Sequence, residues 1–258
     1  MLEEQAIKAL LLALIAGMAT LLGALIIFLT KSKNEKILSS SLGFAAGVML
    51  SVSFLDLWSQ SQDSLTQSMG ERWGIVLSVF FLLLGIIFAL GIDHFVPHDK
   101  TEPNQNDKPH QNLYRVGFVS MLAIMLHNLP EGIATFSAGY EDLAMGISIA
   151  VAISMHNIPE GITVAMPIYY ATGKKLDALK YTFISGMAEP LGALLAFLVL
   201  RPFINSFNLG AIFAIVAGIM IYIAVEELIP SSRQYGYPRL ALFATFAGII
   251  IMPLSHIF

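Results

Sequence analysis

Eight apolar runs, each close to the length of a bilayer-crossing helix, make up most of this 258-residue chain. A span needs about 20 predominantly apolar residues, because each helical residue adds only ~1.5 Å toward a hydrocarbon core ~30 Å thick. The runs fall at roughly 6–29, 38–58, 73–93, 115–139, 142–169, 177–200, 210–229 and 238–257. In hydrocarbon every backbone N–H and C=O must be satisfied inside the protein, so the expected fold is all-α and polytopic. Charged residues make up 12 % of the chain, about half the share of a soluble domain. The first run exceeds a signal-peptide core and lacks a basic lead, so it reads as a retained span. Connections are short except for a stretch at about 97–112, rich in Pro, Asn, Asp and His, which reads as a flexible cytoplasmic loop. Residues 1–258 read as one transmembrane domain.

Basic residues set the expected direction of threading. With eight spans and both termini outside, the inner side holds Lys31, Lys33, Lys36, Lys100, Lys108, Arg115, Lys174, Lys175, Lys180, Arg233 and Arg239. The outer side holds only Lys8, Arg72 and Arg201.

Against this apolar background, one motif occurs twice, 29 residues apart: His127-Asn128-Leu129-Pro130-Glu131-Gly132 and His156-Asn157-Ile158-Pro159-Glu160-Gly161. The His and Glu of each copy are four residues apart, on one face of a helix. His127 lies twelve residues before Gly139 and His156 fourteen after Asp142, depths of about 18 and 21 Å. Glu189 in the sixth span and Met49 in the second reach a similar depth. Each carboxylate has a proline beside it, Pro130, Pro159 and Pro190. Proline cannot donate to the carbonyl four residues earlier, so a helix break is expected at each. Interrupted helices at the midplane are a transporter feature.

Ionisable groups in a membrane segment are costly and mark function. Three buried carboxylates need protons or a cation to offset their charge. Imidazole with carboxylate suits Zn²⁺, Fe²⁺, Mn²⁺, Co²⁺ and Cd²⁺, and Asn can add a carbonyl oxygen. These ligands form either one site or two adjacent sites sharing Glu131 and Glu160. Met49 reads equally well as core packing. Polar glue between helices is a weaker account of the paired motifs, since it is usually Ser, Thr or Asn.

Residues 46–57, AGVMLSVSFLDL, resemble residues 217–228, AGIMIYIAVEEL, and Asp56 aligns with Glu227. The two spans run in opposite directions, so this would be an inverted repeat. Asp56 would mark the outer mouth, and Glu226 and Glu227 the inner one. His94, His98 and His110 read as solvated loop residues, and His256 as interfacial.

Several functions are disfavoured. The net charge of −4 points to no nucleic-acid partner, and no phosphate-cradling GxxxxGK[ST] points to ATP. Absence of cysteine removes disulfides and thiolate metal sites. An intramembrane zinc metallohydrolase is one alternative, but its HExxH is absent, since Asn follows His in both copies. A metal-binding membrane receptor is another, and it needs neither interrupted helices nor acidic mouths.

At HNLPEG, HNIPEG and the SGMAEPLGA of residues 185–193 the chain resembles the ZIP (Zrt-, Irt-like protein) family of divalent metal transporters, in its prokaryotic branch. The resemblance covers essentially the whole chain. It implies eight transmembrane helices in a 3+2+3 arrangement with inverted repeats, and a homodimer in the plasma (inner) membrane of a prokaryote. It also implies cargo of Zn²⁺, with Cd²⁺, Fe²⁺, Mn²⁺ and Co²⁺ possible, moved into the cytoplasm with no separate cofactor. The motifs carried over put His127, Glu131, His156 and Glu160, with Met49 nearby, at one metal position. Asn128, Glu131, Asn157, Glu160 and Glu189 line a second. The family pattern further implies spans one, four, five and six moving against the rest. The long His-rich inner loop of many eukaryotic members is missing.

Overall fold

The apolar runs become helices in the computed structural model, which describes residues 2–29, 34–95, 113–200 and 205–255. With the spans numbered by the eight runs of the sequence, the first is α1 (Leu2–Ala24) with the short α2 (Ile26–Leu29). The second is one rod of α3 (Glu35–Ser51), a π-helical turn (Val52–Leu57) and α4 (Trp58–Met69). Then come α5 (Glu71–Phe95), α6 (Leu113–Glu141) and α7 (Leu143–Thr172). The sixth span is α8 (Lys175–Gly186), α9 (Ala188–Leu195) and a π turn (Ala196–Leu200). The seventh is α10 (Ser206–Ile223), a π turn (Ala224–Leu228) and α11 (Ile229–Arg233), and α12 (Pro238–Ser255) is the eighth. Seven of these stretches are long and apolar enough to cross a membrane, and Pro238–Leu254 is a shorter apolar helix. The loop at 97–112, with His98 and His110, lies outside the described residues, as do Lys31, Lys33, Arg201 and His256.

Local chemistry sets several ends. Asn34, Asp142 and Asn205 cap α3, α7 and α10 by accepting from backbone N–H groups in the first turn. Gly70 and Gly173 close α4 and α7 with φ of 80° and 73°, a region costly for other residues.

Two expectations are corrected. Proline does not break the fourth and fifth spans: α6 and α7 run unbroken through Pro130 and Pro159. Each proline removes one bond from a long ladder, and the bonds on either side hold the helix together. Of these three proline-bearing spans only the sixth is interrupted, at Met187, three residues before Pro190. The second correction concerns Arg115, which the charge pattern places with the inner loops. It lies in the first turn of α6 with its side chain largely buried against Glu227.

The helices sort into two bundles. One contains α1, α6, α7, α8 and α9, and the other α3, α4, α5, α10, α11 and α12, while α3 meets α7 and α10 meets α6 at the boundary. The glycines follow the same division. Gly17 packs on Gly186, Gly132 on Glu189, Gly161 on Thr20 and Gly192 on Leu129, all inside the first bundle. Gly43 packs on Ala241, Gly47 on Thr245, Gly85 on Ile215 and Gly218 on Leu82, all inside the second. Small residues let backbones touch and lock helices together in lipid. The boundary carries bulky buried side chains instead, among them Met49, Val52, Ile124, Met166, Ile168 and Met220. Each bundle is thus knitted backbone to backbone, whereas the face between them is side chain against side chain.

The repeat in the sequence has a structural counterpart. Residues 46–57 and 217–228 each pass from α-helix into a π turn, at Val52 and Ala224. A π turn rotates the helix beyond it and often marks a functional position. Here the two turns hold Asp56 and Glu227.

Candidate metal site

Antiparallel α6 and α7 bring the two motifs face to face. His127 Nε2 lies 3.1 Å from Glu131 Oε1 and 3.2 Å from Glu160 Oε1. His156 Nε2 lies 2.8 Å from Glu131 Oε1. The imidazole centroids are 6.1 Å apart. The ligand atoms of His127, Glu131 and His156 fall within 4.8 Å of one another, all buried. Donor atoms on one tetrahedral zinc sit about 3.4 Å apart, given bonds of about 2.1 Å. Small side-chain adjustments therefore close this set on a single divalent ion.

A second group adjoins it through the next residue of each motif. The Asn157 side-chain amide donates to Glu189 Oε2 (2.8 Å) and to the carbonyl of Ala16 (2.9 Å). That of Asn128 donates to the Ser185 carbonyl (3.1 Å). Both amide nitrogens are thus tethered, and Oδ1 of each remains buried without a hydrogen-bond partner. Both oxygens of Glu160, Oε2 of Glu131 and Oε1 of Glu189 are likewise buried without a hydrogen bond, the Glu160 carboxylate lying against the His127 ring. His127 and Glu189 are 0 % exposed, and Glu160 is 1 % exposed. Buried polar atoms are nearly always satisfied, and a cluster of acceptor oxygens without donors is the chemistry of a cation site.

The glycine that ends each motif has a reason in the packing. A Cβ on Gly132 would lie 1.8 Å from the Glu189 carbonyl oxygen, and one on Gly161 1.8 Å from that of Thr20. Gly132 therefore lets α6 lie directly on α9, which holds Glu131 beside Glu189.

A cavity of about 460 Å³ reaches the site from one end. Glu131 and His156 form its floor. Asp56, Gln60 and Phe213 of the second bundle, with Ser148 and Ile149 of α7, form its walls. Among the described residues, the opposite end is crossed by two polar contacts. There Arg115 pairs with Glu227, and the Tyr170 hydroxyl accepts from the Asn34 N–H (2.8 Å) and donates to its carbonyl (2.9 Å). That end is the one carrying Lys36, Lys174, Lys175 and Arg233.

Of the eight residues expected from the sequence, His127, Glu131, His156 and Glu160 come together as one group, and Asn157 joins Glu189. Asn128 is tethered to the neighbouring sixth span. Met49 is fully buried in the core at the bundle boundary. Sequence reasoning missed Gln60, Ser148 and Phe213, which carry no motif and are united only by the cavity. It also missed Gly132 and Gly161, although their repetition in both motifs was a usable signal.

Comparison with known proteins gives a consistent result. The chain matches a family model described as ZIP Zinc transporter over residues 5–120 and 98–255. It is 43 % identical over 262 residues to a zinc transporter ZupT of Oceanobacillus iheyensis, covering 98 % of each chain. It is 42 % identical over 259 residues to a ZupT of Streptococcus mutans, again covering 98 % of each. A ZupT of Clostridium perfringens is 40 % identical over 270 residues, covering 96 % of this chain and 95 % of that protein.

Proposed function

Given that the chain belongs to the ZIP zinc transporter family, we propose that it carries Zn²⁺ across the inner membrane of a bacterium into the cytoplasm. It is a multi-pass membrane transporter and not an enzyme, and the metal is cargo rather than cofactor. The observation that carries the reading is the convergence of His127, Glu131, His156 and Glu160 from two helices, with Glu131 and His156 lining a cavity.

The ion descends the cavity and meets Glu131 and His156 first, then His127 and Glu160. A second ion position uses Asn128, Asn157 and Glu189 with the shared Glu131 and Glu160, and Met49 supplies a soft contact from the other bundle. Metal binding requires deprotonated ligands, so it displaces protons from imidazole and carboxyl groups. The same donor set accepts Cd²⁺, Fe²⁺, Mn²⁺ and Co²⁺, and their order follows the metal more than the site.

Alternating access is supported by the two bundles. All ligands except Met49 sit on α6, α7 and the α8–α9 span, so the first bundle can carry the site as a body past the second. Glycine-locked crossings hold each bundle, and the side-chain boundary between them is the face that slides. The arrangement further supports eight spans, both termini outside, residues 1–258 as one unit, and the cavity facing outward because the opposite end is basic. The chain acts as a homodimer in this reading.

The test is uptake into proteoliposomes, wild type beside Glu131→Ala/Glu160→Ala, with Zn²⁺, Cd²⁺, Fe²⁺ and Mn²⁺ each offered. Saturable uptake that is lost in the double variant is expected. Stoichiometric binding with no uptake of any ion overturns the carrier reading.

A further inference from the structure

Outside the ligand set, a largely buried ionic contact joins the two bundles. Arg115 Nη1 lies 2.5 Å from Glu227 Oε1, with side chains 13 % and 7 % exposed. Desolvating such a pair is expensive, and an arrangement of this kind is weak evidence of stabilisation alone. Its place is informative: Arg115 is on α6, which carries His127 and Glu131, and Glu227 stands in the π turn of the seventh span. The contact therefore crosses the boundary, at the end away from the cavity.

We infer that the Arg115–Glu227 pair is a latch. It holds the carrier open at the cavity end and shut at the basic end, and Arg115 occupies Glu227 until the bundles shift. The inference rests on the alternating-access reading above.

Two further observations support it. The first is the asymmetry of the repeat. Asp56 and Glu227 hold equivalent positions in equivalent π turns, yet Asp56 lines the open cavity while Glu227 is capped by arginine. One carboxylate of the pair faces the cavity while its counterpart pairs with an arginine carried by the other bundle. The second is charge. A guanidinium is a cation, so on the release path it repels a divalent cation as long as it stays there. Because Arg115 and the ligands share α6, a displacement of α6 relative to the seventh span that delivers the ion also draws Arg115 off Glu227. The carboxylate then exchanges a guanidinium for water or the passing cation, and is never left bare in a dry interior.

The chain has no cysteine, so single reporters need no prior substitution. Ser148→Cys reports on the cavity, and Val119→Cys, one turn beyond Arg115 and buried, reports on the shut end. Both are labelled with a hydrophilic maleimide in vesicles. In Arg115→Gln and in Glu227→Gln, labelling at 119 should rise and labelling at 148 fall, each by about tenfold, as the minor state becomes the major one. The exchanged pair Arg115→Glu/Glu227→Arg should restore both. Should the neutral variants fail to insert, Arg115→Lys carries the test, with a smaller shift in the same directions. Reporters that do not move, or that rise together, overturn the latch. Zinc uptake by wild type is measured in the same vesicles. Uptake with unmoved reporters overturns the latch alone, and no uptake overturns the carrier and the latch with it.

Discussion

Replacing Gly132 by alanine tests how far the metal site depends on one close helix crossing. The added Cβ would lie 1.8 Å from the Glu189 carbonyl oxygen and 3.0 Å from the Ala193 nitrogen. Carbon against a carbonyl oxygen needs about 3.3 Å, so α6 and α9 must part by roughly 1.5 Å. Both contacts are backbone, which has no rotamer to escape into. Glu131 precedes Gly132, and Glu189 sits on the helix being pushed away. Metal–ligand distances tolerate deviations of only about 0.2 Å, so a ligand set spanning both helices cannot be kept. Outer-shell changes of this kind cost about 10–100-fold in metal affinity, and overpacking costs about 1–3 kcal/mol in stability. The control is Gly91→Ala in α5, where a Cβ meets nothing within 4 Å and helix propensity gains up to ~1 kcal/mol. Zinc affinity is read by competition with a chromophoric chelator, and stability by thermal unfolding in detergent. Wild-type affinity and melting in Gly132→Ala, matching the Gly91→Ala control, would refute the claim that this crossing positions the site.

Three further outcomes are expected. Uptake should fall as the outside pH drops from 7.5 to 5, because protons compete with metal for imidazole and carboxylate, and equal rates at both values would contradict a site built of these ligands. Asp56→Asn should raise the KM for Zn²⁺ on the order of tenfold with kcat unchanged, and raise it less at high salt, because a carboxylate in a narrow cavity concentrates cations; a kcat defect instead would move Asp56 into the transport step itself. Epitope tags at either terminus should be reached by antibody from outside in spheroplasts, where the inner membrane is laid bare, and protection of one of them would break the eight-span topology.

The family and the candidate ligands were legible in the sequence because the relevant physics is local. A His and a Glu four apart share a helix face whatever surrounds them, and a repeat of that pair in an apolar run has few other uses. The prolines were over-read for the opposite reason. Whether Pro130 or Pro159 breaks a helix depends on the neighbours that hold its flanking turns, and no window of sequence contains them. Arg115 reads as a loop charge because it stands at the edge of its apolar run. Only the seventh span, 112 residues away, makes it a buried partner of Glu227.

Short stretches of sequence were enough to establish a helical membrane protein whose polar midplane groups have the chemistry to hold a divalent cation. Span length, backbone satisfaction in hydrocarbon and ligand type are all properties of a few neighbouring residues. Packing settled how those stretches act together. It set which helices lock through glycine and which meet through side chains, where the cavity reaches the ligands, and which carboxylate meets Arg115. Each of these is a distance between residues remote in the chain, and such distances exist only once the helices have assembled.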